Sequence, residues 1–354
     1  MKRTTFLSAS APLLVAAAAV LAVGDLNPPP GAVAATGKSL TELEPRIAIN
    51  AVNTPGDADS LFRITQPGSY FLVGNVTGVA GKSGIEIAAN NVVLDLNGFM
   101  LPGNVGSLSG ITTPAAQSAL SIKNGVVRSW GQHGIFQGSS SRGTTIDQVL
   151  ACNNSLTGFT LGDCATITNC GAFSNLDDGI HVQIGGVISN CSAITNGGDG
   201  IFVTAAGTVT ACASEGNAGC GIRSTASGYS MIAQCAVADN NLDGILVGSD
   251  CTALNNNCAY NGLGGTGSAI HASGLDNRIE GNQCLNSDIG IDVDAPGNFI
   301  VRNTCSGNIN NWDVAANNIY GPILDRRVPA SAAVLGNSAT SALGTTDANA
   351  NFSY

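Results

Sequence analysis

Residues 190–203 read "NCSAITNGGDGIFV". A cysteine, an aspartate and three glycines within one short segment invite an active-site reading. Moving back 21 residues gives "NCGAFSNLDDGIHV" at 169–182, and moving forward 21 gives "ACASEGNAGCGIRS" at 211–224. The segment is one copy of a repeat, so its residues have to be read as columns down a stack and not as a motif.

The clearest column is a Gly followed by Ile. It runs through Gly84-Ile85, Gly110-Ile111, Gly134-Ile135, Gly179-Ile180, Gly200-Ile201, Gly221-Ile222, Gly244-Ile245 and Gly290-Ile291, with Gly158-Phe159 and Ala269-Ile270 filling the gaps. Ten starts result, at intervals of 21 to 26 residues. Two residues beyond each start, Ile87, Leu161, Val182, Val203, Val247 and Val293 keep the alternation of a half-buried strand, while Thr113, Gln137 and Ser224 loosen it. A second column places Asn154, Asn175, Asn196, Asn217, Asn240 and Asn286 five residues before the next start. Asn tolerates the left-handed conformation that a sharp turn demands, and stacked Asn side chains can hydrogen-bond from one unit to the next. Cys170, Cys191, Cys212 and Cys235 form a third column, assigned to a second strand. A further short strand is expected between.

Short units with two or three strands and no helical period predict an all-β chain, a right-handed parallel β-helix of about ten coils. A leucine-rich repeat has a similar period but needs a leucine consensus that is absent. The expected organisation is a signal peptide over 1–24, an extended spacer over 25–40, an N-terminal cap over 41–83, coils over 84–311, and a C-terminal cap and tail over 312–354. The signal rests on Lys2 and Arg3, the apolar run Ala11–Val23, and small residues at Ala22 and Gly24. That run is short for a membrane span, so a secreted, cell-surface or periplasmic protein is expected, with no membrane span once the signal is removed.

The net charge of −10 has no basic run after the signal to offset it, which excludes nucleic acid as a partner class. Eleven cysteines in a secreted chain would ordinarily mean disulfides. Here the cysteine column recurs at the repeat interval, where parallel in-register side chains make poor bridge geometry, so buried thiols filling small interior sites are expected.

"ITQPGSYFLVGNVTG" at 64–78, "GIEIAANNVVLDLNGFMLPG" at 84–103 and "SIKNGVVRSWGQHGI" at 121–135 together resemble secreted bacterial right-handed β-helix repeat proteins of pectin-lyase-like fold. The resemblance runs over roughly residues 40–354 and implies architecture, with capped ends, but no one chemistry. The fold hosts polysaccharide lyases, hydrolases and epimerases beside proteins without activity. Lys123 is the last lysine in the chain, and neither the close aspartates of the hydrolases nor the Asp-Pro-His-Asp run of the alginate epimerases is present. No catalytic residue is therefore carried over.

The residue after each Ile points outward, giving Glu86, Thr112, Phe136, Thr160, His181, Phe202, Arg223, Leu246, His271 and Asp292 in order. His181, Phe202 and Arg223, with Asp178 and Asp199 at the neighbouring turn, form the candidate ligand face, where a sugar ring could stack on Phe202. The competing reading makes Asp178, Asp199 and Asp243 turn residues and His181 and His271 ordinary surface residues. Asp288, Asp292 and Asp294 are a candidate calcium set, though the glycine-rich nonapeptide of calcium-binding β-rolls is missing. Two function classes follow: a secreted carbohydrate-binding or surface-structural β-helix, with a polysaccharide or cell-surface glycan as its partner, and a polysaccharide-acting enzyme.

Overall fold

The computed structural model describes residues 44–225, 228–265, 267–325 and 346–354; the expected signal and spacer lie outside them. Among the described residues there is no helix. The unit Arg46–Tyr354 is a parallel β-solenoid whose strands fall into one sheet of 12 and one of 23.

The 12-stranded sheet is the Gly-Ile column. Ile180 pairs with Ile201, Ile201 with Ile222 and Ile222 with Ile245, all in parallel register. Each is fully buried, and Val182, Val203 and Val247 beneath them are also buried. Twelve coils are present where ten were expected. Ser60–Ile64 adds one strand before the first Gly-Ile and Asn310–Val314 one after the last. In them Phe62 pairs with Ile85, and Trp312 with Ile291. The aromatic replacements hid both coils from a search for Gly-Ile.

The glycine of each pair is required by a close approach. A Cβ on Gly200 would lie 2.6 Å from Asn217 Nδ2 and 2.7 Å from the Gly221 carbonyl oxygen, and Gly179 meets Asn196 and Gly200 in the same way. Ala269 stands where the following coil carries Ser287 in place of an asparagine, and the shorter side chain leaves room for its methyl group.

Those asparagines form a buried ladder. Asn175 donates from its side chain to Asn196 Oδ1 at 3.0 Å, and Asn196 does the same to Asn217. Each Oδ1 also accepts the backbone N–H of the asparagine one coil earlier, and each side-chain amide reaches a strand carbonyl as well. The ladder runs from Asn154 to Asn240 and on through Asn261. Two expectations are corrected. The left-handed residue is the one before the ladder, as at Asn153, Ser174 and Thr195, because the ladder side chains must point inward to meet. Asn286 is itself left-handed, and Ser287 takes its place in the stack.

Most coils carry three strands, such as Ile201–Val203, Thr208–Thr210 and Ala213–Glu215. The cysteine column lies in the bend between the last two, not in a strand. Asn190 and Ala211 adopt left-handed conformations there, and Cys191 and Cys212 turn inward to donate to the carbonyls of Ser189 and Thr210. In later coils Asn256, Asn282 and Asn303 fill the same corner and hydrogen-bond between coils. Cysteine thus replaces asparagine as a small inward donor.

All eleven cysteines are free, and nine are buried. Burial pushes the thiols of Cys258 and Cys284 well up and that of Cys220 to about 12, which keeps them protonated and unreactive. A thiol reagent should find only the exposed Cys164 and the half-buried Cys152 in the native protein, and all eleven after denaturation. Most sulfurs remaining unreactive in the denatured, unreduced chain would contradict this.

Candidate functional site

The outward face of the 12-stranded sheet brings the predicted residues together. His181 pairs in register with Phe202 and Phe202 with Arg223, so the three project from consecutive coils. The His181 ring lies 4.4 Å from the Phe202 ring, and the Arg223 guanidinium 4.1 Å from it on the following coil. Both faces of Phe202 are therefore occupied. Only the edge of the ring is left open, because parallel register places the neighbouring side chains directly above and below.

The turn aspartates serve two purposes at once. Asp178 Oδ1 accepts the backbone N–H of Asp199 at 2.7 Å, and Asp199 Oδ1 accepts that of Cys220 at 2.8 Å. These are the scaffold bonds of the turn reading. The second oxygen of each faces the sheet: Asp178 Oδ2 lies 3.8 Å from His181 Nδ1, and Asp199 Oδ2 pairs with Arg223 Nε at 2.5 Å. One carboxylate thus fixes the turn and faces an outward side chain of the sheet.

Burial raises Asp178 to about 6, assisted by the charges of Asp199 and Asp177 and opposed by the Asp199 N–H. Burial and the nearby Arg223 lower His181 below the usual imidazole value. The pair sets an acid raised to about 6 beside an imidazole of lowered basicity, 3.8 Å apart and without a direct hydrogen bond. Because Asp178 is raised in the folded state, its contribution to stability is intact below about pH 3.8 and is lost as pH rises through about 6. Replacing Asp178 with Asn should flatten that part of the stability profile in denaturant titrations at pH 4 and 7. An unchanged slope would place the titration elsewhere.

The face extends past the residues found in the sequence. His133 stacks on Phe136 at 4.8 Å and meets Thr160 Oγ1 at 3.3 Å, two coils before His181. Gln183 and Thr204 join through a 3.3 Å hydrogen bond, and Gln183 reaches His181 Nε2 at 3.4 Å. His133 precedes its Gly-Ile pair, so a reading confined to the outward strand position missed it. A concavity of about 750 Å³ lies on the larger sheet and is lined by residues such as Asn124, Gln148, Asn169 and Asn190. Its lining holds no charged side chain, whereas the outward face of the other sheet carries Asp178, His181, Asp199 and Arg223.

Of the candidate calcium set, Asp292 and Asp294 come together and Asp288 does not. Asp288 accepts the backbone N–H of Gly265 instead, as a turn residue. Their companion is His271, whose Nε2 lies 3.0 Å from Asp294 and whose Nδ1 lies 3.1 Å from Asp243.

A family profile of right-handed β-helix regions matches residues 159–308. The chain has the right-handed parallel β-helix fold. Solved structures that share it include two A-modules of mannuronan C-5 epimerases from Azotobacter vinelandii. The AlgE4 module is 18% identical with a TM-score of 0.65, over 78% of this chain and 88% of the module. The AlgE6 module is 17% identical with the same TM-score, over 87% and 88%. The Dettilon tailspike protein aligns with a TM-score of 0.52 at 15% identity, over 74% of this chain and 60% of the tailspike. At these identities the likeness establishes the fold of this β-helix. No curated protein matches it in sequence. Among the described residues of the β-helix, no helix is long and apolar enough to cross a membrane.

Proposed function

We propose that this β-helix is a secreted carbohydrate-binding protein that holds a polysaccharide against the outward face formed by Asp178, His181, Asp199, Phe202 and Arg223. The observation that carries the reading is the order of this cluster. Arg223 is fixed by its Asp199 pair and its stacking on Phe202, and His181 is fixed by the other face of the same ring. Side chains already immobilised lose little entropy when they take up hydrogen bonds to sugar hydroxyls. The epimerase modules of the same fold, whose names specify action on mannuronan, support a polysaccharide as the ligand class.

The Asp178–His181 pair favours a second reading, a polysaccharide-acting enzyme. A carboxylic acid raised to about 6 beside an uncharged imidazole is suited to moving a proton on and off a sugar carbon or oxygen.

One experiment separates the two. The purified protein is incubated with uronate-rich and neutral polysaccharides, and bound polymer, reducing ends, unsaturated products and proton spectra of the recovered polymer are followed. Binding with an unaltered polymer supports the binding reading, and product formation supports the enzyme. Replacing Arg223 with Ala should weaken binding about tenfold or more through loss of a charged hydrogen-bond donor. Replacing Arg278, on the larger sheet, should leave binding unchanged. Equal loss in both variants would detach binding from this face.

A further inference from the structure

We propose that His271, Asp292 and Asp294 form a binding site for a divalent first-row transition ion, with Asp243 orienting the histidine. Their ligand atoms, one nitrogen and two carboxylate oxygens, lie within 4.8 Å of one another. The fold brings them there by register: His271 pairs with Asp292 on the adjacent coil, and Asp294 follows two residues later on the same outward side.

The histidine is held in the manner of a metal ligand. One ring nitrogen, Nδ1, meets Asp243 at 3.1 Å, which leaves Nε2 directed at Asp294. A carboxylate on the far nitrogen of an imidazole fixes its tautomer and raises its basicity toward a metal. Asp243 is itself anchored, since its Oδ1 accepts the backbone N–H of Ser268 at 2.8 Å. The Ser268 hydroxyl, fully buried, donates to Asp292 Oδ2 at 3.3 Å. A single buried serine therefore positions the orienting carboxylate and one of the proposed ligands.

Charge points the same way. Asp243, Asp292 and Asp294 lie around the imidazole, and Asp313 pairs in register beside Asp292 on the next coil, adding a fourth carboxylate next to the proposed ligands. Among the described residues no Lys or Arg forms an ion pair with Asp243, Asp292, Asp294 or Asp313. The other close acidic group, Asp57, Asp59 and Glu86, differs in this respect: Arg63 pairs with Asp57 and with Glu86, each at 2.8 Å, and already supplies the cation. The imidazole nitrogen selects manganese or zinc over calcium, which prefers oxygen ligands alone.

Manganese is the suitable probe, because thiols bind it weakly and the chain has eleven cysteines. Titration of the full chain with manganese, followed by loss of the free-ion paramagnetic resonance signal, should show one site. His271→Gln should abolish it, Asp294→Asn at the exposed edge should weaken it at least tenfold, and Asp243→Asn about 10- to 100-fold. His181→Ala should bind manganese as the unaltered chain does, which separates this site from the proposed glycan face. Thermal melts of each variant without metal establish that it folds. No binding by the unaltered chain, equal binding by His271→Gln, or displacement of manganese by an equal concentration of calcium would each overturn the assignment.

Discussion

Replacing Asn196 with Ala is expected to destabilise the solenoid by about 3–5 kcal/mol, more than most single substitutions do. The side chain is 1% exposed and makes four hydrogen bonds. Its oxygen accepts from the backbone and the side chain of Asn175, and its amide donates to the Ala172 carbonyl and to Asn217. Truncation leaves buried donors and a buried acceptor without partners and without water. Asn286→Ala is the control, since it occupies the same column in the sequence but lies outside the ladder. It should cost only about 1–2 kcal/mol for a left-handed alanine. Urea unfolding midpoints followed by circular dichroism measure both, and equal shifts would refute the ladder as a source of stability.

The second large effect divides neighbouring residues. Ile201→Ala should cost roughly 2–5 kcal/mol, because the side chain is fully buried between Ile180 and Ile222 and leaves a cavity that the adjoining coils cannot close. Phe202→Ala should cost far less stability, since its ring faces outward, yet weaken glycan binding by about 1–2 kcal/mol. The loss on the binding side comes from release of His181 and Arg223, which the ring separates and aligns. Phe202→Ala unfolding as readily as Ile201→Ala would remove the proposed face. Intact binding by Phe202→Ala would show that the alignment of His181 and Arg223 does not matter.

The inward and outward positions of each coil were legible because side chains in a strand alternate with a period of two, and the repeat reports that alternation ten times over. Ile180, Ile201 and Ile222 are buried and His181, Phe202 and Arg223 face outward, as their columns require. The first and last strands of the 12-stranded sheet were not legible. Phe62 and Trp312 fill the isoleucine position there, and a column is visible only while its residue type persists.

The repeat by itself determined the solenoid, its register and the face on which Asp178, His181, Asp199, Phe202 and Arg223 meet, since these depend on a period that one chain carries in its own order. Tertiary structure alone decided what each side chain does there. Whether an aspartate orients a histidine or only holds a turn depends on which of its oxygens faces the sheet. Whether a cysteine lies in a strand or a corner depends on a left-handed residue before it, as at Asn190 before Cys191. The exchange of Asp288 for His271 beside Asp292 has the same origin. Asp288 is near in sequence but bonded to the Gly265 backbone, whereas His271 lies 21 residues back and becomes a neighbour only when one coil is laid upon the next.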